Sequence, residues 1–258
     1  MLHRGILAHH EAWEMLFRNL TYVILDEAHT YRGIFGSHVS QIIRRLKRIC
    51  LRYGCRPRFI LLSATVSNPE RFAELLVEEP VKVVDRTWAT AAGRDFLFLN
   101  PFGGSNFSAA RLFAECLRNG FRTIAFTQSR KVTELMHLWM SQLAPELQSK
   151  VSSYRAGFLP EERRLIEGRL ARGELLGVVS TSALEMGIDI GCLDICLLVG
   201  YPGTIITTWQ RGGRVGRAGR DSMVILVGKP DALNQYFMKH PDQLFGRGFE
   251  AAILGPNN

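Results

Sequence analysis

Residues 22 to 32 read Tyr22-Val23-Ile24-Leu25-Asp26-Glu27-Ala28-His29-Thr30-Tyr31-Arg32. Four apolar residues of high β-propensity follow one another with no polar alternation. A half-exposed strand alternates, so this run predicts a strand covered on both faces, as in a parallel sheet flanked by helices. It then stops at two adjacent carboxylates. The layout recurs: Arg58-Phe59-Ile60-Leu61-Leu62 stops at Ser63-Ala64-Thr65, and Val178-Val179 runs into Ser180-Thr181-Ser182.

Helical stretches alternate with these runs. Helices are expected over 5–19, over 37–53 (basic, and ended by Gly54), from Pro69 with Asn68 as N-cap, and over 108–119, 130–143, 160–172 and 205–213. Strands are expected over 21–26, 58–62, 81–84, 122–127, 151–154, 176–181, 195–199 and 223–227, with a helix-like turn at 182–186. Strands separated by helices imply right-handed βαβ units and a mainly parallel sheet, hence an α/β fold. The pattern loosens around Gly93, Pro101, Gly103 and Gly104. This predicts a first domain over 1–86, a linker over 87–107 and a second domain over 108–258.

The chain's 258 residues suffice for a core without staples, and 47% apolar with 22% charged residues is ordinary globular composition. No run reaches the roughly 18 apolar residues of a membrane span, and the start lacks the apolar stretch of a signal peptide. A cytoplasmic protein with no membrane partner is expected. Lys and Arg number 32 against 24 acids, a net charge of +8 that favours polyanionic partners. The basic cluster Arg44-Arg45-Leu46-Lys47-Arg48 is also spaced like the solvated side of a helix. The five cysteines have no zinc-knuckle spacing and read as reduced, buried thiols.

Ligands of parallel sheets bind beyond the carboxyl ends of the strands, where Asp26 and Glu27 fall. Asp26 suits Mg²⁺, and Glu27 can orient and deprotonate a water that attacks a γ-phosphate. An acidic solvated turn is the alternative. In Gln210-Arg211-Gly212-Gly213-Arg214-Val215-Gly216-Arg217-Ala218-Gly219-Arg220, four arginines recur every third residue among small residues. Their guanidinium forks can neutralise charge on a transferred phosphoryl group. Between Val178 and Gly191 a strand enters a hydroxyl-rich turn that can hold a nucleic-acid phosphate, followed by Gly187 and Asp189.

Together these elements, in this order, resemble the superfamily 2 DEAD/DEAH-box helicases. Asp26 to His29 is similar to motif II, Ser63-Ala64-Thr65 to motif III, and Phe126-Thr127-Gln128-Ser129-Arg130 to motif IV. Ser180 to Gly191 is similar to motif V, and Gln210 to Arg217 to motif VI. Tyr154 to Arg164, Ala183 to Gly191 and Gly200-Tyr201-Pro202-Gly203-Thr204 resemble the RecQ-like DNA repair subgroup that ends in a zinc-binding cysteine domain.

The resemblance implies two RecA-like (P-loop NTPase type) parallel-sheet domains, the first incomplete, and ATP and Mg²⁺ as cofactors. It gives Asp26 to the metal, makes Glu27 the base and lets His29 link the nucleotide to the second domain. Ser63, Ala64 and Thr65 would couple hydrolysis to movement. Arg214 and Arg217, with Gln210 beside them, would be arginine fingers, and Gly187 and Asp189 would sense nucleotide. Thr127, Ser129, Arg130, Arg155 and Thr181 would contact backbone phosphates of single-stranded or duplex DNA, or of RNA.

One departure matters. The family's phosphate loop, Gly-x-x-x-x-Gly-Lys-Ser/Thr, does not occur in the sequence, and no lysine here precedes serine or threonine. About half of the first motor domain, and the terminal zinc domain, are therefore expected to be missing, as in a fragment with slight ATPase activity alone. The strand at 58–62 would then carry an open apolar flank, for a missing segment or an oligomer partner to cover. Two functions remain open: part of an ATP-dependent DNA helicase or translocase, or a non-catalytic nucleic-acid-binding or interaction module.

Overall fold

The computed structural model describes residues 1–63, 66–85, 93–155, 157–184, 191–216 and 219–255. The chain divides into two compact units. One is Met1–Thr87 together with Gly248–Asn258, and the other is Trp88–Arg247.

In the first unit, β1 (Tyr22–Leu25) pairs in parallel with β2 (Arg58–Leu61), Tyr22 opposite Arg58 and Leu25 opposite Leu61. Their connection holds α2 (Gly33–Arg52), which buries Gly36, Ser40, Ile43, Leu46, Ile49 and Cys50 at helical spacing. A Schellman closure ends α2: Cys55 N donates to Cys50 O and Gly54 N to Leu51 O, with Gly54 at φ +75°. After β2 comes α3 (Pro69–Val77), whose Phe72 and Leu76 pack with Ala28 and Ile43.

Three expectations change here. The helix expected over 5–19 is a π-type turn (Leu2–Ile6), a 3₁₀ turn (His10–Trp13) and the short α1 (Glu14–Asn19), since only Leu7 and Phe17 of this stretch anchor in the core. Residues 81–84 form no strand, because no neighbouring strand among the described residues offers them a ladder. The β1–β2 ribbon is covered on one face only. Val23, Leu25, Phe59 and Leu61 point to the core, whereas Tyr22, Ile24 and Ile60 are 52%, 60% and 40% exposed.

The second unit is a six-stranded, all-parallel sheet in the order β3-β8-β7-β4-β6-β5. The strands are β3 (Arg94–Leu99), β4 (Thr123–Phe126), β5 (Val151–Tyr154), β6 (Gly177–Ser180), β7 (Ile195–Val199) and β8 (Ser222–Val227). Ala125, Val179, Leu197 and Ile225 face α4 (Ser105–Arg118) and α5 (Arg130–Leu143). Ile124, Phe126, Val178, Leu198 and Val224 face the other layer, with Ile166 and Leu170 of α6 (Pro160–Ala171). Alternation by two thus splits continuous apolar strands between two cores. α7 (Ile205–Gly212) precedes β8, and α8 (Ala232–Lys239) and α9 (Asp242–Gly246) close the unit.

β3 corrects the expected linker. Arg94 to Leu99 pairs with β8 along its full length, so this sheet begins before residue 108. The expected second domain also ends early, because the tail returns to the first unit. Ala252 and Leu254 are buried beside Phe72, and Gly33 N donates to Ile253 O at 2.8 Å. Asn68, expected to cap α3 with its side chain, makes no such bond. Its amide instead clasps the tail, donating to Ala252 O (3.2 Å) and accepting from Ala252 N (3.0 Å).

The five thiols are free. Burial pushes those of Cys50 and Cys116 up to about 11 and that of Cys196 up to about 12. Among the described residues no helix is long and apolar enough to cross a membrane.

Candidate nucleotide and nucleic-acid site

The carboxyl ends of β1 and β2 bring the first set of residues together. The ladder runs one step past the strands, with Leu62 N donating to Leu25 O and Ala28 N to Leu62 O. Between these bonds the chain turns sharply at Glu27, which has φ +48° and ψ +44°, a left-handed conformation uncommon for a residue with a Cβ. Two local bonds hold the turn: Glu27 N donates to Asp26 Oδ1 at 2.8 Å, and Thr30 N donates to Glu27 O.

His29 is buried behind the turn, its Nδ1 3.5 Å from Glu27 Oε2 and 3.4 Å from Ser63 Oγ. It therefore bridges the acid pair to the end of β2. Burial lowers its pKa below the ordinary 6.5 more than Glu27 raises it, so the ring is neutral at neutral pH. The unfolded chain then binds more protons than the folded one below pH 6.5. This contribution to stability is complete above 6.5 and declines as pH falls through that value towards the depressed folded one. His29→Gln is expected to flatten the loss of urea stability between about pH 7.5 and 5.5, and an unchanged profile would remove His29 as its source.

Asp26 is an exposed carboxylate with hard oxygen donors, which suits a Mg²⁺ whose other ligands are water and phosphate. Asp26, Glu27, His29 and Ser63 fit the metal-and-water half of a nucleotide site. The chain has no phosphate-loop pattern for the other half. Ala64 and Thr65 lie outside the described residues, as do Gly187, Asp189 and Arg217.

In the second unit, β4, β6 and β5 stand side by side and their carboxyl ends carry a polar row. Ser129 caps α5 by accepting from Val132 N at 3.3 Å, and Arg130 follows it, exposed. Thr181 leaves β6. Arg155 leaves β5, pairs with Glu134 at 3.1 Å and lies over the Phe158 ring. Thr127 departs from expectation. It is 1% exposed, its Oγ1 2.6 Å from Thr133 Oγ1, and its N donates to Ser180 O at 2.8 Å. With its hydroxyl satisfied inside the fold, Thr127 ties β4 to α5 and β6 and contacts no phosphate directly.

Gln210 and Arg214 lie elsewhere. α7 runs back along the sheet, so the turn after it reaches the amino ends of the strands. There Gly216 N donates to Leu193 O, and Arg94, the first residue of β3, donates to Val215 O at 3.1 Å. The three-residue arginine spacing also separates in space. Arg211 is buried with its guanidinium 5.2 Å from the Phe126 ring, Arg214 is 9% exposed, and Arg220 is in solvent. Gln128 and Lys229, absent from the residues the motifs single out, stand in the carboxyl-end row. Gln128 lies inside the run similar to motif IV without being singled out there, and the only sequence signal of Lys229 is a polar residue just past an apolar strand.

Residues 1–72 match the DEAD/DEAH box helicase family, and residues 108–219 match the helicase conserved C-terminal domain. The chain thus matches both helicase family models, one in each unit. It is 43% identical over 269 residues to the uncharacterized ATP-dependent helicase YprA of Bacillus subtilis, covering 100% of this chain and 36% of that protein. The ATP-dependent helicase hrq1 of Schizosaccharomyces pombe is 34% identical, over 93% of this chain and 24% of its own length. Among solved structures, the DUF1998 helicase MrfA bound to DNA and AMPPNP superposes with TM-score 0.95 at 42% identity, over 100% of this chain and 37% of that one. The chain thus spans little more than a third of these relatives at most. The two parallel-sheet units are of the RecA-like helicase type.

Proposed function

We propose that these residues are part of an ATP-dependent DNA helicase or translocase acting in DNA repair. The observation that carries this reading is the row Ser129, Arg130, Thr181 and Arg155 along neighbouring strand ends, on a fold shared with a helicase bound to DNA and AMPPNP. Hydroxyls and guanidiniums on phosphate oxygens hold a strand with little sequence preference, as a motor requires. Asp26 would hold Mg²⁺, Glu27 would prepare the attacking water, and Arg214 would answer charge on the γ-phosphate. The runs around Tyr154 and Gly200 support the RecQ-like subgroup with a zinc-binding domain. Because the phosphate-loop pattern is not among these residues, hydrolysis requires that loop from elsewhere, and by itself the chain is a strand-holding module.

The test is binding of labelled single-stranded DNA across a salt series. With two or three cations on phosphates, affinity is expected to fall about tenfold between about 50 and 200 mM salt. Affinity that does not change with salt would sink the reading.

A further inference from the structure

Past β8 the chain carries a lysine that no helicase motif uses. Gly228 N still donates to Leu99 O at 2.8 Å, so Lys229 leaves the sheet at its carboxyl end. Its stem crosses Gly200, beyond the end of β7. A Cβ on Gly200 would sit 2.9 Å from Lys229 Cδ and 3.0 Å from Cε, and the backbone there has φ +89°. The turn requires glycine at 200, and without a Cβ there the lysine stem can lie close over it. Lys229 Nζ then donates to Gln128 Oε1 at 2.7 Å, while Gln128 Nε2 donates to Tyr201 O at 2.8 Å. The ammonium is thereby carried over β7 to the end of β4, beside Ser129 and Arg130.

Among the described residues no ion pair holds this cation, and Asp231 acts on it only through space. Its ammonium donates to a neutral amide, and no carboxylate among the described residues bonds to it. The nearby Asp231 is occupied, accepting from Asn234 N at 3.0 Å through one oxygen and from Asn234 Nδ2 at 2.7 Å through the other. Burial pushes the Lys229 pKa down, only partly offset by Asp231. A half-buried ammonium with donors to spare is costly unless an anion completes its shell.

We propose that Lys229, positioned by Gln128 and Gly200, binds a backbone phosphate and extends the nucleic-acid face from β4 across β7 to β8. This rests on the nucleic-acid-binding function proposed for the chain, and one salt series on the whole chain separates the two. Lys229→Gln is expected to bind single-stranded DNA about fivefold more weakly at low salt, with a logarithmic salt slope shallower by about 0.7. Lys229→Arg should restore the slope. Gln128→Ala keeps the charge but loosens it, so affinity falls while the slope stays. A Lys229→Gln variant with the unaltered slope overturns the proposal even if its melting temperature drops, since a purely structural lysine would do the same. If the unaltered chain shows no salt-sensitive binding, both readings fall.

Discussion

Gly36→Ala is expected to destabilise the first unit by about 3 kcal/mol, near the upper end of what overpacking costs. A Cβ at this position would lie 2.0 Å from Tyr31 O, 2.5 Å from Tyr31 C and 2.7 Å from Leu254 Cδ1. The leucine tip can yield, but the Tyr31 carbonyl cannot do so cheaply. It belongs to the turn after His29, where Tyr31 N donates to Ala28 O and Arg32 N to Thr30 O. Moving it moves the turn that sets Glu27. Alanine's better helix propensity returns no more than about 1 kcal/mol, so the clash wins. Asn68→Ala provides the contrast: it removes two hydrogen bonds to Ala252, about 2 kcal/mol, without touching that turn. Urea unfolding of both variants separates the effects. A Gly36→Ala midpoint equal to that of the unaltered chain would mean that the tail and the turn do not pack as described.

Most of the second sheet is legible because its strands are unbroken apolar runs between helices, and six strands cover one another's ladders. β3 is harder to read, since Gly93 before it and Pro101, Gly103 and Gly104 after it mimic a linker. Only its pairing with β8 shows that Phe96-Leu97-Phe98-Leu99 is a strand. The first unit teaches the converse. The apolar run at β1 shows a strand built for two covered faces, but not where the second cover comes from, and Tyr22, Ile24 and Ile60 remain exposed. The tail has no periodicity to read. Its place is set by Asn68, 184 positions away, and by the space that Gly36 leaves.

At the site, juxtapositions set by strand ends are legible, and those set by side-chain orientation are not. Asp26, Glu27 and Ser63 meet because parallel neighbours end at the same level. Thr127 and Ser129 look alike in sequence, yet the first points inward to Thr133 and the second caps α5. Arg211 and Arg214 share a spacing and differ in surroundings. Lys229 has no local signature beyond its place just past an apolar strand, as its partner Gln128 is 101 positions away.

In a polypeptide that carries these residues behind a phosphate loop, hydrolysis is expected to fall about 10³-fold on Glu27→Gln and at least as far on Arg214→Ala. The two losses have separate causes. Glu27→Gln keeps the size and the left-handed turn but removes the carboxylate proposed as the base, so DNA binding should persist. Arg214 stands at the amino ends of the strands, opposite the row that contains Arg130 and Arg155. Its removal should therefore leave DNA affinity and salt slope within about twofold of the unaltered values while abolishing turnover. Because Arg214 is largely buried, Arg214→Lys is the sharper variant: it keeps the charge and most of the packing but loses the planar fork, and so should not restore hydrolysis. Restoration by lysine would reduce Arg214 to a point charge. A matched loss of DNA binding would instead place it on the strand-holding face.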